Sequence, residues 1–441
     1  MSEAAASARD AVLAQRLGPL GLAATVFNTV VGAGIYVVPA TLARSAGGAA
    51  PFAYLACIVV MAAVSLCFAA AGSRTPTSGG PYGYAGAAFG PFMGFLVGVF
   101  LWLSAVLAAA GIAAAIADAL GGLAPALRGA GPRTALLLLL FGALAAVNCA
   151  GVTRGSSLVG VMTVVKLAPL LLLIAVALPH LHPAYLAPGR TLGSGFGRAM
   201  ILALFAFQGM ETAVGVSGEV RNPARNVPLG LLGAMAAVGV LYIGVQVAAQ
   251  GVLGPALGGQ ALPLAAAVGR IAPGLAWAMA LGGGLSMFGY LASDALATPR
   301  LLFAFARDRL APPWLASVGP RTRAPYAAVL AHLGLAFALA AVGGFTELVV
   351  LSSLVVTLVY LIACAAAVVL QHRGVETAGP PLRVPGLWAA ALVGAAGMAF
   401  LLSNARPVEI AGGLAITGAI AAWYGAARAL GKRSAMAPTA P

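Results

Sequence analysis

Three ionisable side chains sit inside long apolar runs: Lys166 in VVKLAPLLLL, Glu211 in LFAFQGMETAVGVSGE and Asp294 in FGYLASDALATPR. At the centre of a bilayer an uncompensated charge costs about 2.5–3.5 kcal/mol or more, so each needs a partner, a proton or a route to the interface. Lys166 lies about three helical turns into its run, and two readings stay open. Its stem reaches the interface, or it stays buried inside the protein. For Glu211 the alternatives are a place in a proton relay and a hydrogen-bonded brace for its own helix. Asp294 faces either a cationic group or polar backbone on the far side of its helix.

Two runs are also interrupted. NTVVGAGIYVVP carries Gly32 and Gly34 at its centre with Pro39 beyond, and the run around Glu211 carries Gly209 and Gly215. Glycine loosens a helix and proline removes a donor. Backbone unwound at membrane depth is tolerated only where protein buries it or it lines a cavity. Amides freed at the start of a half-helix suit a carboxylate, and freed carbonyls suit an ammonium or a cation. A zwitterionic amino acid carries both groups.

The elements that must position these residues are helices in a bilayer. Of 441 residues, 61% are hydrophobic and 8% charged, and the mean hydropathy is +1.01; a soluble domain carries about 25% charged residues. Apolar runs of spanning length recur about twelve times. They cover approximately 20–43, 51–72, 91–120, 134–152, 156–178, 197–218, 229–254, 273–306, 325–343, 346–370, 386–403 and 408–430. The chain therefore reads as an all-α polytopic membrane protein. Spans one and six hold corresponding places if the first ten form two halves of five. Paired interruptions of that kind point to an inverted-repeat core with broken spans 1 and 6. The repeats cover about 20–178 and 197–370, two additional helices occupy about 386–430, and a 1–19 segment and a 431–441 tail flank the single transporter domain.

Lys and Arg crowd the side shared by both termini, which places the termini in the cytoplasm and the chain in the plasma (inner) membrane. The polar, Ala-rich residues 1–17 do not read as a cleavable signal. The net charge of +14 follows from that bias. The basic residues are spread singly, without a basic helix or aromatic–basic platform, so no nucleic-acid partner is expected. Cys57, Cys67, Cys149 and Cys364 lie within apolar spans without CxxC spacing and read as small hydrophobes. The histidines are read as lying near loops. No cofactor or metal is expected.

Four stretches, in order and over nearly the whole chain, resemble the amino acid–polyamine–organocation (APC) transporters. VGAGIYVVPATLA is similar to that family's first-span motif, and SRTPTSGGPYGYAGAAFGPFMGF, Ser73 to Phe95, to its connection between spans two and three. FAFQGMET followed by GEVRNPARNVPLGLL resembles the sixth span and its exit, and TPRLLFAFARDRLAPPW, Thr298 to Trp314, the end of the eighth. The resemblance implies that backbone around Val30, Gly32, Ala33 and Gly34 holds the carboxylate and amino group of a substrate. Carbonyls near Phe205, Ala206 and Gln208 would share the amino group, with Phe205 in the place of an aromatic lid. Ser104 and Ala105 match positions lining the side-chain pocket. Lys166 would put its ammonium where sodium-coupled relatives hold an ion, bridging spans one and eight. Where several relatives place an apolar or aromatic residue beside the chamber this chain has Asp294, which would favour a cationic substrate.

The implied activity is alternating-access transport of amino acids or related amines, proton-linked and sodium-independent, with Lys166 and Glu211 as coupling candidates. Exchange or export is the alternative. The implied partners are the small-molecule substrate, protons and lipid; oligomeric state is not set by the sequence. An intramembrane enzyme would need a nucleophile with its base, paired acids or a metal cluster, and no HExxH, Walker or GxSxG pattern is present. A channel would show rings of like charge or a repeated filter segment, and neither is visible.

Overall fold

Proline decides where many of these helices begin. Pro19, Pro81, Pro91, Pro223, Pro263, Pro299 and Pro407 each open one, because the first turn needs no N–H and proline's φ is already helical. The computed structural model describes residues 18–32, 34–75, 80–150, 158–187, 195–214, 220–308, 310–319, 322, 324–376 and 380–435, with side chains described outside 158–165 and 427–435. The helices are α1 (Pro19–Val30), α2 (Gly34–Ala46), α3 (Ala50–Arg74), α4 (Pro81–Phe89), α5 (Pro91–Leu123), α6 (Ala130–Cys149), α7 (Leu158–Ala177), α8 (Gly195–Phe207) and α9 (Met210–Ala213). They continue with α10 (Pro223–Leu253), α11 (Pro263–Ile271), α12 (Ala276–Ala297), α13 (Pro299–Arg307), α14 (Tyr326–Val342), α15 (Phe345–His372), α16 (Leu387–Ser403) and α17 (Pro407–Ala435).

Among the described residues, 7 helical runs are long and apolar enough to cross a membrane. Shorter apolar helices accompany them at Pro19–Val30, Lys166–His180, Tyr326–Val342 and Leu387–Ser403. The chain is thus an all-α polytopic membrane protein. The expected span 20–43 is α1 and α2 with a break between them. The expected span 197–218 is α8 and α9, with residues 215–219 outside the described set. Span 273–306 becomes α12 and α13, since Pro299 brings no N–H to the Ala295 carbonyl. Two short helices, α4 and α11, occupy connections where the sequence indicated no element.

Contacts group the chain into two units, each drawn from both halves of the sequence: residues 1–97, 156–290 and 356–405 in one, and 98–155, 291–355 and 406–441 in the other. In the first, α10 runs along α3 and α1, α2 lies against α8, and α16 covers α3. Tyr54, Phe207 and Tyr242 form an aromatic cluster, with ring centroids 5.2–6.3 Å apart, a spacing at which edge and tilted pairs attract. In the second, α14 lies against α6 and α13, and Phe141 meets Phe337 edge-on at 6.4 Å. Leu302, Ala306, Leu315 and Ala328 form a small core there. Arg133 closes the end of α14 by donating to the Ala340 and Gly343 carbonyls, at 2.8 and 3.2 Å, and pairs with Asp118 at 3.4 Å.

Arg74 ends α3 buried in the first unit, 1% exposed. Its guanidinium donates to the Val375 and Leu382 carbonyls and to Gln371 Oε1, each at 3.3 Å. Its neighbour Ser73 accepts the Leu382 amide at 3.1 Å. Together they hold the approach to α16 against α3. Arg74→Ala removes a charged donor from these oxygens and is expected to destabilise by about 1–3 kcal/mol. Hydrogen exchange should show faster exchange at the Leu382 and Val384 amides, with α14 unaffected.

Candidate functional site

The break in the first span leaves three carbonyls without helical partners, and three other helices supply donors. Continuing the α-helix would carry the Asn28, Val30 and Gly32 carbonyls to the amides four residues on. Instead the chain turns at Val31 (φ −74°, ψ 75°), and the Gly32 amide folds back onto the Val30 carbonyl at 2.7 Å. The Asn28 carbonyl accepts Lys166 Nζ from α7 at 3.2 Å. The Val30 carbonyl also accepts the Tyr242 hydroxyl from α10 at 2.8 Å, and the Gly32 carbonyl accepts the Ser286 hydroxyl from α12 at 3.1 Å. Tyr36, two residues into α2, donates its hydroxyl to the Lys166 carbonyl at 2.8 Å. Buried backbone without water requires such partners. Ala33 lies outside the described residues. Gly34 opens α2, whose first amides have no intrahelical acceptor.

The second break is built by Gly209 and Glu211. Gly209 has φ 116°, a conformation that L side chains rarely adopt. Its amide does not continue α8 but donates to the Glu211 carboxylate, at 2.9 and 3.0 Å. Tyr360 of α15 donates its hydroxyl to the same carboxylate at 2.7 Å. The Phe205 carbonyl, which lost the Gly209 amide, accepts Gln208 N–H at 3.2 Å. Glu211 thus folds back on the break that precedes it.

The two breaks touch. A Cβ at Gly209 would stand 2.9 Å from the Thr29 carbonyl oxygen, and a Cβ at Gly34 would stand 3.2 Å from Ala206 Cα and 3.4 Å from the Phe205 ring. Val30, Phe205 and Ala206 are buried and Gln208 is half-buried. The Lys166 stem passes α12, where a Cβ at Gly289 would lie 3.9 Å from its Cε. The first unit thus brings together Val30, Gly32, Gly34, Phe205, Ala206, Gln208, Lys166 and Glu211. Its chemistry is that of a cluster of backbone amides and carbonyls with one amine beside it.

Ser104, Ala105 and Asp294 belong to the second unit. Ser104 donates to the Leu101 carbonyl at 2.9 Å, and its own carbonyl accepts Ser352 Oγ at 2.8 Å; Ala105 is half-buried. Asp294 has both oxygens engaged, Oδ1 by the Thr298 hydroxyl at 2.6 Å and Oδ2 by His332 Nε2 at 2.8 Å. This corrects the placement of the histidines near loops: His332 sits inside α14 and is fully buried. Its position seven residues into the expected span 325–343 carried that signal. Tyr242, Ser286 and Tyr360 were also not singled out. A hydroxyl within an apolar span needs an acceptor when buried, yet nothing along the chain says which carbonyl it meets.

A family model for amino acid permeases matches residues 17–419. An uncharacterized transporter of Mycobacterium tuberculosis is 31% identical, over 96% of this chain and 93% of its own length. The vacuolar cationic amino acid transporter 4 of Arabidopsis thaliana is 31% identical over 84% of this chain and 65% of its own. The serine/threonine exchanger of Bacillus subtilis is 27% identical over 82% and 85%.

Gly209→Ala puts a side chain at a positive φ and against the Thr29 carbonyl, a strain of about 1–3 kcal/mol. A clearly lowered melting temperature is expected. Gly233→Ala, in α10 with no atom within 4 Å of the new methyl, should melt at or above the parent temperature.

Proposed function

The chain belongs to the amino acid permease family and moves amino acids across a membrane, and we propose that it does so by alternating access as a proton-linked, sodium-independent carrier. The observation that carries this reading is the meeting of two helix breaks beside the Lys166 amine. The opening amides of α2 offer donors to a substrate carboxylate. The carbonyls near Phe205, Ala206 and Gln208 offer acceptors to its amino group, and Phe205 lies where a ring would cover it. Backbone groups of this kind bind what all amino acids share.

Lys166 supports the proton-linked part of the reading. Its ammonium donates to the Asn28 carbonyl, a charge-assisted bond that weakens when the amine gives up its proton. A fixed cation on this carbonyl also makes a bound sodium ion unnecessary there. Glu211, engaged by the Gly209 amide and the Tyr360 hydroxyl, braces the second break in this reading. The excess of Lys and Arg on one side supports cytoplasmic termini in the plasma membrane. A second mode, exchange of one amino acid for another, is favoured by the likeness to the serine/threonine exchanger.

Reconstituted in liposomes and offered radiolabelled serine, leucine and arginine in turn, the protein should give saturable uptake and counterflow for at least one. Linear, non-saturating flux would remove the carrier reading. Uptake driven by an imposed proton gradient in the absence of internal amino acid separates the proton-linked mode from obligate exchange. Lys166→Ala is expected to stay folded and to flatten the pH dependence of uptake. A variant that keeps both the parent rate and the parent pH profile would falsify the coupling role.

A further inference from the structure

Asp294 and His332 are a buried acid–base pair. Both lie in the second unit, Asp294 near the end of α12 and His332 within α14. Their side chains are 5% and 0% exposed, with Nε2 and Oδ2 2.8 Å apart. Thr298, continuing the helical turn from Asp294, donates to the other carboxylate oxygen at 2.6 Å. Among the described residues His332 Nδ1 has no hydrogen-bond partner and no solvent exposure.

We propose that Asp294 and His332 form a proton-binding site, separate from Lys166, that loads and releases one proton at His332 Nδ1. A carboxylate only accepts, so Nε2 carries the hydrogen that faces Oδ2, and Nδ1 is left as the bare nitrogen. Unloaded, the pair is a carboxylate and a neutral imidazole, with one net negative charge. Loading takes one proton from water onto Nδ1, which gives carboxylate and imidazolium with no net charge; no other bond forms or breaks. A matched pair is far cheaper to bury than a lone carboxylate, so the closed, dry arrangement retains the proton and entry of water at Nδ1 releases it.

Among the described residues of the second unit, no other charged group is bonded to the pair. Of the elements packed against α14, α6 brings Arg133 and the half-buried Cys149, and α13 brings Arg300 and Arg307, both exposed; the 313–316 turn brings no ionisable group. On α14 itself the other ionisable group is Tyr326. Arg133 is occupied at the far end of α14 with Asp118 and carbonyls. The remaining charged side chains described in this unit, Arg128, Asp308, Glu347, Arg406 and Glu409, lie at or beyond helix ends. Among the described residues none is hydrogen-bonded to either member of the pair.

Ser286, Tyr290, Asp294 and Thr298 recur every fourth residue and so share one face of α12 and its continuation. Ser286 holds the Gly32 carbonyl, and the Tyr290 ring lies 3.4 Å from where a Gly32 side chain would begin.

The test is nitrogen NMR on the full chain with isotope-labelled histidine, in a background where His180, His182 and His372 are replaced by Gln. The His332 ring signals are expected to pass from the neutral to the imidazolium pattern as pH falls. In Asp294→Asn the cationic fraction at a fixed pH should drop by about tenfold or more, the usual effect of removing an adjacent opposite charge. A ring that keeps the neutral pattern throughout the folded range overturns the proposal, and so does an identical titration in Asp294→Asn. Should Asp294→Asn fail to fold, Thr298→Val retains both ionisable groups and must still move the midpoint; an unmoved midpoint overturns the proposal. The ring signal requires no substrate, so its failure leaves the transport reading standing.

Discussion

Hydrocarbon offers no hydrogen bonds, so a break in a membrane helix has to be repaired by whatever packs against it. This constraint organises the first unit. The Asn28, Val30 and Gly32 carbonyls draw Lys166, Tyr242 and Ser286 from three different helices. The Gly209 amide draws Glu211. Each repair fixes a helix as well as a carbonyl: α7, α10 and α12 are all pinned to the same short stretch of chain. The break is therefore a junction between these helices.

The same economy governs the charges. Glu211 is spent on the backbone that precedes it and on Tyr360. Arg74 is spent on carbonyls of the segment before α16. Asp294 is matched by His332 and Thr298. Lys166 differs: among the described residues it donates to a single carbonyl, at 3.2 Å, and to no carboxylate. An amine held this lightly changes its protonation state with less disruption than a fully bonded one.

Much of the architecture was legible because its causes are local. Apolar runs of spanning length, prolines at helix starts and glycines inside runs act within one turn of the chain, and they located α1 to α3, α5 to α8, α10 and α12 to α17 within a few residues. The two breaks were legible for the same reason, since only Gly209 could take φ 116° there. What the chain did not disclose was long-range pairing. Tyr242 meets Val30 across 212 residues and Ser286 meets Gly32 across 254, and one hydroxyl in an apolar span looks like any other. His332 was overlooked for a related reason: a lone histidine among Leu and Ala gains meaning only when Asp294, 38 residues away, is brought to its ring.

The proposed recognition through backbone has a consequence for selectivity. Amides and carbonyls at helix breaks address the ammonium and carboxylate, which every amino acid carries, so they supply affinity without distinguishing one side chain from another. Similar proteins named for cationic amino acids and for serine and threonine are nearly equally distant from this chain, so overall likeness does not select a side chain either. Discrimination must then come from side chains that line the remainder of the chamber, where adding or removing a methylene changes affinity by only about 1–3 kcal/mol, whereas an unpaired polar group is rejected far more strongly. A chain so poor in charge has few groups with which to reject apolar substrates. Glu211, beside the second break, and Asp294, in the second unit, are both already bonded inside the protein.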